Sequence, residues 1–177
     1  MRVVSYGHGG TDGHSFLLIN NIDTLPHSLV GMTVAVGGEV SVGTWGNKPD
    51  GKGVYFNLER HFGPGAYPGR VSLEMNLTSE QLSTVSKRIV DNNSWALANN
   101  CSSFATKVWN SVATVKVKAG TPNTPAKLTG NIKTHAGWVT NTGFSALNDD
   151  SQVFALEGKG SRKNVSSGTL TSGSTSA

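Results

Sequence analysis

Cysteine is almost missing from this chain: Cys101 is the single one in 177 residues. That excludes an intrachain disulfide and any zinc site built on several thiolates. Charge is sparse as well, at 15% Asp, Glu, Lys and Arg, while glycine reaches 22 residues. This balance argues against a helical bundle and for a loop-rich α+β domain. No stretch approaches the roughly 18 to 20 consecutive apolar residues of a membrane span. The opening MRVVSYGHGG has no apolar core of the kind a Sec signal carries. The expectation is a soluble chain with no membrane span, which leaves room for export by a signal-independent secretion system and action in a target cell's periplasm or cytoplasm. Metal and phosphate motifs are lacking too. No H-E-x-x-H spacing occurs, and GHGGTDG has neither the G-x-G-x-x-G pattern nor a Walker lysine. Neither a metal nor an organic cofactor is expected.

The length suits one domain with a hydrophobic core. A net charge of +4 draws the chain weakly toward polyanions. Lys and Arg are scattered apart from Lys159, Arg162 and Lys163, and no stripe of stacking aromatics accompanies them, so a nucleic-acid partner is not expected.

The apolar run Ser15 to Ile19, introduced by glycines and closed by Asn20 and Asn21, predicts a buried strand with His14 at its mouth. Met32 to Val36 and Glu39 to Trp45, joined by Gly37 and Gly38, predict a hairpin. Gly53 to Leu58 reads as another strand, 61–69 (HFGPGAYPG) as loop, and Arg70 to Leu77 as extended chain. Thr78 and Gln81 form a capping-box pair ahead of Leu82, Val85 and Ile89 at helical spacing. A second helix starts near Asn99 and Asn100, with Cys101, Phe104, Ala105, Val108 and Val112 along one face. From Lys116 onward the segments are short and ambiguous. From Gly158 onward the composition is nearly all Gly, Ser, Thr, Lys and Asn, which predicts a flexible tail.

Cys101 therefore falls in the first turn of a helix, where unpaired amides and the helix dipole favour a thiolate and offer oxyanion donors. A buried structural thiol is the competing reading. A cysteine nucleophile needs an imidazole within reach and a third group to orient it. Of the five histidines, His14 alone precedes a buried strand, whereas His8, His27, His61 and His135 sit in turn-like sequence. Glu59, Arg60 and His61 read as a solvated charged cluster. Trp45, Trp95, Trp109 and Trp138 read first as packing residues, and Asn99 and Asn100 first as helix caps.

Taken together, GHSFLLI (13–19), TWGN (44–47) and NCSSFA (100–105) resemble the circularly permuted NlpC/P60 group of the papain-like superfamily, in which the histidine strand precedes the cysteine helix. The resemblance spans Val3 to Val112. It implies an α+β fold, with an antiparallel sheet whose first strand presents His14 to Cys101 on the packed helix. Cys101 is then the nucleophile, His14 the general base, and an acyl-enzyme forms that water releases. A polar residue of a neighbouring strand orients the imidazole in this family. Glu39, Ser41, Thr44 and Asn47 all lie on or near the next strands; Asn47 is preferred slightly, with Glu39 close behind, and Trp45, Tyr55 and Asn100 are candidate substrate contacts. The implied organisation is one domain over 1–157, with a core at 3–112, a subsidiary region at 113–157 and the tail at 158–177. The implied activity is that of a cysteine peptidase or amidase on peptidoglycan peptides or on a target protein, fitting an antibacterial toxin effector held by a cognate immunity protein. A lipid acyltransferase or thioesterase of the same fold, and a non-catalytic glycan- or protein-binding module, are the alternatives.

Overall fold

A computed structural model describes residues 1–7, 12–158 and 160–171. Its framework is an eight-stranded sheet in which every pairing is antiparallel. The strands are β1 (Arg2–Gly7), β2 (Gly13–Asn20), β5 (Glu39–Trp45), β6 (Gly53–Phe56), β7 (Val71–Glu74), β8 (Val139–Thr140), β9 (Phe154–Glu157) and β10 (Ser161–Asn164), in the order β10-β9-β6-β5-β2-β1-β7-β8. β3 (His27–Leu29) and β4 (Met32–Val34) pair with each other outside it. The predicted hairpin between 32–36 and 39–45 is thus not formed. Gly37 and Gly38 bond back to Asn21, and β5 pairs with β2 and β6 instead. The sequence reading also passed over β1, so His14 stands on the second strand of the chain rather than the first.

β2 reads as an unbroken apolar run because both its faces are covered. Leu17 and Ile19 join the main core with Val3, Val42, Phe56, Val85, Ile89, Phe104, Val108 and Trp109. Phe16 and Leu18 face the other way, with Val4, Tyr6, Tyr67 and Phe144. The main core is closed by α2 (Ser79–Asp91), α3 (Cys101–Val112) and α4 (Pro125–Ile132). The capping box predicted for α2 is present in full, with the Thr78 side chain accepting from the Gln81 amide and Gln81 from the Thr78 amide.

Two regions depart from expectation. The strand read over 53–58 ends at Phe56, because Asn57 adopts the left-handed conformation (φ 63°) and starts the short helix α1 (Leu58–Phe62). The segment 113–157 is built into the fold, since α4 lies on β1, β2 and β7, β8 extends the sheet from β7, and β9 pairs with β6. The expected tail is likewise incorporated as far as it is described. β10 pairs with β9, and α5 (Ser167–Thr171) is held by Asp50, whose Oδ2 accepts from the Ser166 amide (2.7 Å), the Ser166 hydroxyl (2.8 Å) and the Thr169 hydroxyl. A polar sequence can be ordered this way because its own groups, rather than apolar surface, supply the bonds. Among the described residues no helix is long and apolar enough to cross a membrane.

Candidate functional site: a buried cysteine, histidine and glutamate

α3 begins where Asn100, in an extended conformation, turns its side chain back on the helix. Its Oδ1 accepts from the amides of Ser102 (3.1 Å) and Ser103 (3.2 Å). The cap leaves the Cys101 amide out of these bonds, so the Ser102 and Ser103 amides are spent locally and are not oxyanion donors. Asn100 Nδ2 meanwhile donates to the Asn123 carbonyl at 2.9 Å. Asn100 is therefore a cap and an anchor for α3.

The ladder between β2 and β5 runs from Asn20 and Glu39 to Phe16 and Gly43 and stops there. β1 follows β2 on to Gly13, and β6 follows β5 on to Trp45. The two central strands therefore part at the level of His14. His14 points to the α1 side, while Ser15, its neighbour, points to α3 and lies 3.2 Å from Ser102 Oγ. The side chain of Cys101, at the start of α3, is close enough to the imidazole to help raise its pKa.

The residue behind His14 is Glu59. His14 Nε2 meets Glu59 Oε1 at 2.8 Å, and both side chains are fully buried. Trp45 Nε1 donates to the same oxygen at 3.0 Å, and Ser41 Oγ donates to Oε2 at 2.7 Å. A buried carboxylate with three hydrogen-bonding partners has its charge well satisfied. The Trp45 ring also lies against the imidazole, with centroids 4.1 Å apart. Gly43 completes the fit: a Cβ there would sit 2.1 Å from Glu59 Oε1 and 2.9 Å from His14 Nε2.

Burial works to lower the His14 pKa, but hydrogen bonding and charge from Cys101 and Glu59 outweigh it and raise it to about 9. His14 Nδ1, the ring nitrogen that Glu59 does not use, has no hydrogen-bond partner among the described residues. Cys101 is the other titratable side chain that acts on the ring, and hydrogen bonds between a nucleophile and its base are often poorly aligned before a substrate is bound. Tyr67 adds a further polar group. Its ring lies 6.1 Å from that of His14, and its buried hydroxyl has no partner among the described residues. Burial, and then the charges of Glu59 and Cys101, hold its pKa well above the usual value. Lys48 Nζ lies 4.3 Å from the Trp45 ring centroid and 4.9 Å from that of Phe62. Burial lowers its pKa to about 8, against the pull of Glu59.

The structure thus brings Cys101 and His14 together, and places the other predicted site residues elsewhere. Asn47 lies beyond the end of β5 and is exposed. Glu39, at the far end of β5, accepts from Asn20 Nδ2 (2.7 Å) and from the Ser145 amide (2.8 Å). Neither orients His14, because Glu59 occupies Nε2. Trp45 and Tyr55 are buried in one cluster with Leu58, Val153 and Ala155, so they present no surface to a substrate. Tyr55 Oη donates to the Gly51 carbonyl at 2.7 Å. Glu59, read from sequence as solvated, is the residue that reading missed. The one local signal for it was Asn57, a residue that tolerates the left-handed turn placing Glu59 beneath the sheet. His61 bonds Asp150 (2.6 Å) and the Leu170 carbonyl (3.1 Å), and His8 lies outside the described residues. Among the described residues no group of three or more His, Cys, Asp or Glu side chains is arranged to hold a metal ion. Searches against protein-family models, curated proteins and solved structures find no match to this chain.

Proposed function

We propose that this protein is a cysteine hydrolase of permuted papain-like architecture, acting on an amide or ester carbonyl. The observation that carries the reading is the buried row of Cys101, His14 and Glu59. Glu59 holds Nε2, so Nδ1 is left to exchange a proton with the sulfur. A pKa near 9 keeps the imidazole protonated at neutral pH, which suits a thiolate–imidazolium pair that attacks a carbonyl and then returns the proton to the leaving group. Peptide substrates, including peptidoglycan stem peptides, fit this chemistry. An antibacterial toxin role, with an immunity protein as partner, belongs to the same proposal.

The test is the pH dependence of Cys101 alkylation by iodoacetamide in the native protein, in His14→Ala and in Glu59→Gln. Reaction that persists well below the free-thiol pKa of about 8.5, is abolished at low pH by His14→Ala and is weakened by Glu59→Gln supports the pair. One feature favours a second reading, a non-catalytic binding module with a core thiol: Cys101 is only 2% exposed. Under that reading Cys101 reacts only on unfolding, and neither substitution moves its profile.

A further inference from the structure

A line of buried hydroxyls runs from the nucleophile to α4, and the mechanism above does not use it. Cys101 Sγ lies 4.0 Å from Ser102 Oγ, Ser102 Oγ 3.2 Å from Ser15 Oγ, and Ser15 Oγ 2.9 Å from Ser5 Oγ. Ser5 Oγ bonds the Pro125 carbonyl at 2.9 Å, and Thr129 Oγ1 donates to Ser5 at 3.1 Å. Ser5, Ser15 and Ser102 are fully buried.

The direction of this line follows from counting protons. A serine hydroxyl has one proton to give, and a carbonyl only accepts. Ser5 must spend its proton on Pro125, so Ser15 must donate to Ser5, and Ser102 in turn to Ser15. Ser102 then has no proton left for Cys101 and turns a lone pair to the sulfur.

We infer that Ser5 and Ser15 are positioning residues that lock the Ser102 hydroxyl away from Cys101, denying the thiolate a hydrogen bond and keeping it basic and nucleophilic. The inference rests on Cys101 being the nucleophile. A hydrogen bond to a thiolate stabilises the charged form and lowers its basicity, and a less basic thiolate is a weaker nucleophile. The lock leaves the proton traffic of the sulfur to His14. Among the described residues, the titratable groups that interact with the sulfur are His14 of β2, backed by Glu59 of α1, and Tyr67 ahead of β7. α2 and α4, the other helices beside α3, carry Glu80, Lys87, Arg88, Asp91 and Lys127 at the surface. Glu39 of β5 and Arg2 of β1 are engaged with Asn20 and Glu74.

The test compares iodoacetamide alkylation profiles of Cys101 in the wild type, Ser5→Ala, Ser15→Ala, Ser102→Ala and Thr129→Val. Removing Ser5 or Ser15 releases the line, so Ser102 can turn its proton to the sulfur. In both variants the profile moves to lower pH by about one unit, and the plateau rate falls about threefold, as the dependence of thiolate nucleophilicity on basicity requires. Adding Ser102→Ala to Ser5→Ala abolishes the shift. Thr129→Val removes a donor to Ser5 without changing the direction of the line, and leaves the profile in place. Ser102→Ala alone decides the matter if the other variants do not fold: removing a hydroxyl that gives nothing to the thiolate does not move the profile to higher pH. An upward shift in Ser102→Ala, no shift in folded Ser5→Ala and Ser15→Ala, or an equal shift in Thr129→Val overturns the lock. A wild-type profile indifferent to His14→Ala sinks the hydrolase reading, which is a separate outcome because these shifts need no turnover.

Discussion

At Gly43 the missing side chain is what lets the Glu59 carboxylate stand against His14, since a methyl group there would occupy the space of both Glu59 Oε1 and His14 Nε2. The contact atoms belong to buried side chains with little freedom to retreat, so Gly43→Ala has to push the carboxylate off the imidazole. Overpacking of this kind costs about 1–3 kcal/mol. The expected result is a protein destabilised by that amount in urea unfolding, with Cys101 alkylation resembling that of Glu59→Gln. A Gly43→Ala protein with wild-type stability and alkylation would show that Glu59 relaxes without consequence. Cys101 and His14 were singled out in the sequence as a pair, through the resemblance of the segments around them, because a cysteine behind a helix-capping asparagine and a histidine at the mouth of an apolar strand are each more often structural when taken alone. Glu59 was not. Its run with Arg60 and His61 looks solvated, and its burial depends on a left-handed turn at Asn57 and on bonds from Ser41 and Trp45, which lie on another strand. Asn47 and Glu39 were candidates because both lie on or near the strand that follows, Asn47 in a TWGN turn, whereas the strand carries one past its end and the other to its opposite end.

At the scale of elements, the first turn of α3 is fixed by a single side chain, while Phe104, Val108 and Trp109 pack the rest of the helix into the core. Asn100 caps two amides with Oδ1 and ties the turn to Asn123 with Nδ2. Asn100→Ala removes both functions, and the loss of such a cap alone costs about 0.5–2 kcal/mol. Chemical denaturation will show a loss in this range for Asn100→Ala and a partial recovery for Asn100→Ser, which restores a capping oxygen but not the bond to Asn123. Equal stability of the alanine and serine variants would mean that the Asn123 tie, not the cap, fixes the turn. Both long helices were legible because caps and 3.6-residue periodicity are local signals. The pairing of strands was less so. Met32–Val34 and Glu39–Trp45 are neighbours in sequence with glycines between them, yet β4 pairs backward with β3, and β5 finds its partners in β2 and β6. Local turn chemistry suggested a hairpin, and the wholly buried faces of β2 and β5 decided against it.

For the whole molecule, the sheet is bordered on one side by residues whose composition gave no sign of order. β10 and α5 are polar, and what holds them is a set of bonds converging on Asp50, with Lys163 4.0 Å from the same carboxylate. Composition misses such an arrangement because it weighs burial and not the geometry of polar partners. The same carboxylate and His14 set opposite limits on stability with pH. Burial works to raise the Asp50 pKa, but the bonds from Thr169 and Ser166 and the charge of Lys163 outweigh it and hold it below the ordinary value of 3.8. A lowered folded-state pKa contributes stability that is present above the unfolded value and lost as pH falls through the folded one. His14 has the opposite sign. Its pKa rises from 6.5 to about 9 on folding, so its contribution is complete below the unfolded value and is lost as pH climbs through about 9. Equilibrium unfolding followed from pH 3 to pH 10, limits of about the span that ordinary carboxyl and imidazole titrations require, should therefore show two separable limbs. Asp50→Asn flattens the acid limb without touching the alkaline one. Cys101→Ala removes a partner that raises the His14 pKa, so the alkaline limb of that variant begins at lower pH. If Cys101→Ala leaves the alkaline limb where it was, the sulfur does not stabilise the imidazolium, and Cys101 does not form one interacting unit with the bonded pair of His14 and Glu59.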